Sequence, residues 1–189
     1  MKYTISLFIT IILLLGFSFN ASAREVAGID VPETFEYSGK TMQLNGVGIR
    51  KKAFIKLYIG SLYLTEKSSD ADKIIADDSA MAIRLNIKSS LISPKRMKSA
   101  TLEGFEKSTG GNIEPIKSQI DAMLATFDAG VSSGDSYTLV NIPGSGVDIV
   151  RNTEKVATIP SIEFKKALFG IWLSNDPVQA NLKNEMLGK

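Results

Sequence analysis

The 189-residue chain carries 22 basic and 20 acidic residues, a formal net charge of +2, and neither cysteine nor histidine. Disulfides, thiolate or imidazole metal sites, a lipid-modified cysteine and Ser-His or Cys-His nucleophile pairs are therefore excluded. No basic block of the kind nucleic-acid binders use is present, and any acid–base work would fall to Lys, Tyr, Asp, Glu or bound water.

Residues 1–23 read as a signal peptide. Lys2 gives a positive start, Ile5 to Phe19 is an apolar run, and Ala21-Ser22-Ala23 fits the small-x-small cleavage rule. An uncleaved anchor is the alternative, but the run is short for a span and lacks a basic stop-transfer flank. The expectation is cleavage after Ala23, a periplasmic or secreted location, no later membrane segment, and one domain over 24–189. That length suits a single hydrophobic core.

Arg24 to Gly39 reads as an extended lead-in in which Val31-Pro32 argues against a central strand. Thr41 to Leu44 and Phe54 to Leu64 read as strands about a turn at Gly46 and Gly48. On the second strand, alternation puts Phe54, Lys56, Tyr58, Gly60 and Leu62 on one face. Ile55, Leu57, Ile59, Ser61 and Tyr63 fall on the other, the expected core face. The first face, with Arg50 just upstream, is greasy with a few polar groups, as a small-molecule cleft requires. A half-exposed strand whose Lys56 snorkels to water fits the same residues.

Ser69 to Ala76 predicts a short helix capped by Ser69 or Asp70, and Met81 to Ile87 a half-buried strand with Arg84 on its polar face. Ser93-Pro94 is a cap followed by proline at the first helical position, so a polar helix should run to about Ser108 and stop at Gly110-Gly111. Its inner stripe is Met97, Ala100 or Thr101, and Phe105. Pro115 opens another helix. Its stripe, Ile116, Ile120, Met123, Leu124 and Phe127, reads as core more readily than as a ligand lining. Strands follow at Ser136–Asn141, Gly146–Arg151 and Val156–Ile159. Ser161 caps a helix over Ile162–Leu173 that is apolar nearly all round and hence buried, and Asp176-Pro177 restarts a last helix to Leu187. Strands and helices are segregated, which predicts a single α+β domain with an antiparallel β-sheet against a layer of helices.

Gly48, Arg50, Phe54-Ile55-Lys56 and Tyr63-Leu64, with Asn141-Ile142-Pro143-Gly144, the run Phe164 to Leu173, Asp176-Pro177 and Leu182-Lys183, resemble the chalcone isomerase-like superfamily, nearest its bacterial secreted branch. The resemblance spans nearly all the chain after residue 26. It implies an open-faced sandwich, a sheet wrapped against helices with a ligand cleft between them. It also implies that Arg50 stands where the plant enzymes hold a substrate oxyanion. A guanidinium can grip a carboxylate or enolate through two parallel hydrogen bonds.

Other family positions depart. The threonine of the following strand falls at Tyr58, the tyrosine and asparagine of the polar helix at about Arg96 and Glu103, and a hydroxyl residue at Ile171. Non-catalytic members resembling fatty-acid carriers hold a carboxylate with an arginine and a tyrosine, a pattern that Arg50 and Tyr58 fit better. The expectation is thus an exported binder of a small amphipathic acid, with Arg50, Tyr58 and Lys56 as ligand-binding residues. No catalytic residue, cofactor or metal is expected. One alternative is an isomerase or lyase acting on an enone, with Tyr58 or Lys56 handling protons. Another is a periplasmic interaction module using Lys95, Arg96 and Lys98. Arg50 could also simply pair with a carboxylate.

Overall fold

The structure is a computed structural model that describes residues 23–189. The signal-peptide reading lies outside the described residues, apart from Ala23. That residue opens β1 (Ala23–Val26), which pairs with β2 (Ile29–Pro32) as a separate antiparallel hairpin. Seven further strands form one antiparallel sheet in chain order: β3 (Thr34–Tyr37), β4 (Lys40–Lys52), β5 (Ile55–Leu64), β6 (Met81–Ile87), β7 (Ser136–Ile142), β8 (Gly146–Arg151) and β9 (Glu154–Ile159). The helices are α1 (Ala71–Ala76), α2 (Pro94–Ser108), α3 (Lys117–Ala125), α4 (Ile162–Leu173) and α5 (Ala180–Met186). The expected α+β architecture is what the chain adopts: an antiparallel sheet carrying its helices on one face.

Caps and breakers act where their chemistry places them. Asp70 accepts from the Lys73 N–H to start α1, Ser93 from Arg96 N–H to start α2, and Ser161 from Phe164 N–H to start α4. Beyond α2, Gly110 and Gly111 both take positive φ. α4 is the central helix. Phe164, Leu168, Phe169 and Leu173 are fully buried between the sheet and the outer helices, where each apolar side chain contributes about 1.5–3 kcal/mol.

The sheet buries both faces. On the helix side lie Leu62, Ile83, Leu85, Tyr137, Leu139, Val147 and Ile149. On the opposite side Ile59, Tyr63, Ala82 and Val140 pack with Val31 of β2 and with Met42, Leu44 and Phe35. Arg84 is on this second side. It is half-buried rather than simply solvated, because its guanidinium lies over the Phe35 ring and its Nε donates to Thr138 Oγ1. The Tyr37 hydroxyl donates to buried Asp148, so the sheet curls far enough to bring β3 to β8.

Three expectations need correction. Gly46 and Gly48 are not a turn: β4 runs straight through them with no positive φ. A Cβ at either would strike α5, through the Glu185 carbonyl at Gly46 and the Glu185 side chain at Gly48. Their role is close approach, which chain-local patterns do not distinguish from turning. Second, alternation along β5 fails at its start. Arg50 pairs with Tyr58 but Lys51 with Lys56, leaving Leu57 as a bulge residue. Ile55 therefore joins Tyr58 on the helix side. Third, α5 begins at Ala180, not at Pro177, because Gln179 remains extended (φ −161°).

Candidate functional site

A cleft of ≈770 Å3 lies between α2 and the helix-facing side of the sheet, within the ~300–1,000 Å3 usual for small-molecule sites. The sheet contributes Leu57, Tyr58, Leu85, Tyr137 and Leu139, and α4 contributes Ile171 and Trp172. Along α2, Arg96, Ala100, Glu103, Gly104 and Lys107 face it, the stripe that helical spacing puts on one side. Met123 of α3 and Phe127 close the inner end. Their stripe is thus mostly core and partly lining.

The sheet surface explains where the cleft starts. Gly48 and Gly60 are direct partners across β4 and β5, with Gly46 opposite Leu62 beside them. This bare patch seats Leu182, Glu185 and Met186 of α5. The next pair on the same face is Arg50 with Tyr58. Here α5 no longer covers the sheet, and both side chains lie on the cleft lining, Tyr58 itself buried.

Arg50 Nη1 donates to the Lys51 carbonyl (2.8 Å) and to Gln179 Oε1 (3.1 Å). The same Gln179 oxygen accepts the Lys51 N–H (2.9 Å), and its Nε2 donates to the Ile49 carbonyl (3.2 Å). One amide thereby clamps both the strand and the guanidinium. Among the described residues Arg50 forms no ion pair, so pairing with a protein carboxylate does not account for it.

The Tyr58 oxygen accepts the Trp172 indole N–H (3.0 Å), leaving its own proton free to donate. Burial pushes the phenol up. It outweighs the opposing effects of the Trp172 N–H and the Arg50 charge. The hydroxyl therefore stays protonated at neutral pH. Arg50 and Tyr58 together present only donors, which suits an acceptor-only group such as a carboxylate.

The third expected residue, Lys56, is exposed and does not line the cleft. Past the Leu57 bulge it shares the opposite side of the strand with Lys51. Lys95 and Arg96 line the cleft, whereas Lys98 pairs with Asp128. All five positions matched to the plant enzymes (Arg50, Tyr58, Arg96, Glu103 and Ile171) fall on the lining. Sequence reading missed two supporting residues. Trp172 stands in the apolar run of α4 and in the stretch that carries the family resemblance, but nothing in the sequence gives it a role at the site. Gln179 belongs to no motif, and no local signal marks it.

A family model described as chalcone isomerase-like matches residues 23–188. Among solved structures, a fatty-acid binding protein of Arabidopsis thaliana is similar, with a TM-score of 0.67 and 16% identity over 85% of this chain and 92% of that one. At that identity the likeness carries the fold alone. No curated protein matches the chain by sequence.

Proposed function

This chain belongs to the chalcone isomerase-like family, and from that premise we propose that it is an exported, non-catalytic binder of a small amphipathic acid of fatty-acid type. The observation that carries the reading is the Arg50–Tyr58 pair. Two donors stand side by side on the lining of the ≈770 Å3 cleft, with no carboxylate among the described residues paired to the guanidinium. The acid's head accepts from Arg50 and Tyr58, and its tail lies along Leu57, Leu85, Leu139 and Met123. Each buried methylene contributes ~0.8 kcal/mol and the charged hydrogen bond ~1.5–3 kcal/mol. The tail therefore supplies most of the affinity and Arg50 the orientation. The fatty-acid binding protein of Arabidopsis thaliana shares the fold, which supports the reading.

The test is mass spectrometry of small molecules released from natively purified protein. The expected result is a co-bound carboxylic acid in the wild type and its loss in Arg50→Ala. A wild type that emerges empty and takes up no added long-chain acid overturns the proposal.

A further inference from the structure

Lys52 and Ile55 are the last paired residues of β4 and β5, so Ala53-Phe54 forms a two-residue turn at the hairpin tip. Phe54 is 101% exposed, the most exposed large hydrophobic of the described residues. A turn needs no aromatic there, and nothing among the described residues packs on this ring. Ala53 holds φ at +52°, a conformation disfavoured for residues with a Cβ, so the turn presents Phe54 in spite of local backbone preference.

The charges around the ring share one sign. Lys51 and Lys56 stand directly opposite each other across the strands, a pairing that destabilises a sheet unless an anion neutralises it. Lys52 adjoins them. The loop after β6 is tied to the base of the same hairpin, where the Lys88 and Ser89 N–H groups donate to the Leu57 carbonyl. It adds exposed Leu91, while Lys95 and Arg96 follow on the cleft lining. Residues 50–57 and 79–102 contain no acidic residue at all. Among the described residues Lys51, Lys52, Lys56, Lys95 and Arg96 make no ion pair.

We propose that this hairpin tip is a membrane-docking wedge: Phe54 inserts at the interface of an anionic bilayer while Lys51, Lys52 and Lys56 meet its headgroups. Exposed aromatic and leucine side chains inside a basic ring are the composition that peripheral membrane surfaces use. A nucleic acid or an acidic protein would account for the lysines but not for an unsheltered aromatic at the apex. The tip also lies beside the cleft, since Lys52, Ile55 and Leu91 line its mouth. Docking would therefore bring the opening to the lipid surface. The proposal concerns the tip and holds whatever the cleft contains.

Sedimentation of the purified protein with sucrose-loaded vesicles tests it, comparing phosphatidylcholine with 3:1 phosphatidylcholine–phosphatidylglycerol. Wild type should partition to the anionic vesicles. Phe54→Ser should lower partitioning at least fivefold, and each of Lys51→Glu, Lys52→Glu and Lys56→Glu about fivefold or more. The remote changes Val156→Ser and Lys40→Glu should leave it unaltered. Tyr58→Phe, which removes an acid-binding donor without changing charge, should sediment like wild type, so failure of one proposal is separable from failure of the other. A Phe54→Trp protein should be quenched by brominated lipid well beyond the signal of Trp172 alone. Equal sedimentation of wild type and Phe54→Ser, loss of binding in the remote variants, or absence of extra quenching at position 54 overturns the proposal. So does capture of an acidic protein through the lysines with no vesicle binding.

Discussion

Lys165 is fully buried in the helical layer, where its ammonium donates to the carbonyls of Ile74 (2.8 Å), Ile75 (2.9 Å) and Asp77 (2.5 Å). These are carbonyls left without partners at the end of α1, so one side chain of α4 caps another helix. Its charge also lies 5.1 Å from the centre of the Phe169 ring. Burial pushes the ammonium down to about 8, against the opposing pull of Asp77 and Asp78 and with a small contribution from Lys166. The folded protein thus releases this proton near pH 8, while the unfolded chain keeps it until about 10.4. Between those values the unfolded state binds more protons, so stability gains a positive contribution as pH rises. Lys165→Met leaves three carbonyls unsatisfied and should cost about 2 kcal/mol at pH 7. Urea unfolding of both proteins from pH 7 to 10.5 should show the gap widening with pH. A gap that stays constant would mean that Lys165 is not depressed.

At the scale of elements, the seat of α5 on the sheet determines where the cleft can open. Gly46, Gly48 and Gly60 lie on one face of β4 and β5, yet their tolerances differ. A Cβ at Gly60 would sit 3.4 Å from Leu182 Cδ1, close to ordinary contact, whereas one at Gly46 would meet the backbone carbonyls of Glu185 and Met186. A backbone cannot give way as a side chain can. Gly60→Ala should therefore change stability by less than about 1 kcal/mol, and Gly46→Ala should lose about 2–3 kcal/mol. Amide hydrogen exchange should further show α5 losing protection in Gly46→Ala before the sheet does. If α5 lifts, Gln179 goes with it. The clamp on Arg50 should then loosen even though residue 46 does not line the cleft.

For the molecule as a whole, the curled sheet uses both faces differently. One is sealed by the β1–β2 hairpin and β3, and the other is shared between α4, α5 and an incompletely filled space under α2. A closed core would have served stability better, so the ≈770 Å3 cleft sets the capacity of the fold for a ligand. Titration with straight-chain carboxylic acids should show affinity rising by up to ~0.8 kcal/mol per methylene and then levelling off once the cleft is full. Methyl esters of the same lengths should bind more weakly by the ~1.5–3 kcal/mol of the charged hydrogen bond. A flat length profile, or esters equal to acids, would contradict a head held at Arg50 and Tyr58.

Sequence by itself determined the parts whose physics is local. Ser93-Pro94 starts α2, Gly110-Gly111 ends it, the all-round apolar run 162–173 gives a buried helix, and alternation over Met81–Ile87 gives a strand. The position of Arg50 and the likeness that pointed to a cleft were legible too, because motif order survives in the chain. Only tertiary structure decided the rest. The Leu57 bulge reset the faces of β5 and turned Lys56 away from the cleft, because register depends on the neighbouring strand as well as on alternation. Gly46 and Gly48 resemble turn residues until Glu185, far along the chain, lies against them. Gln179 and Trp172 acquire their roles only when α5 and α4 meet Arg50 and Tyr58. Those contacts join residues more than a hundred positions apart, and no local pattern encodes a partner at that distance.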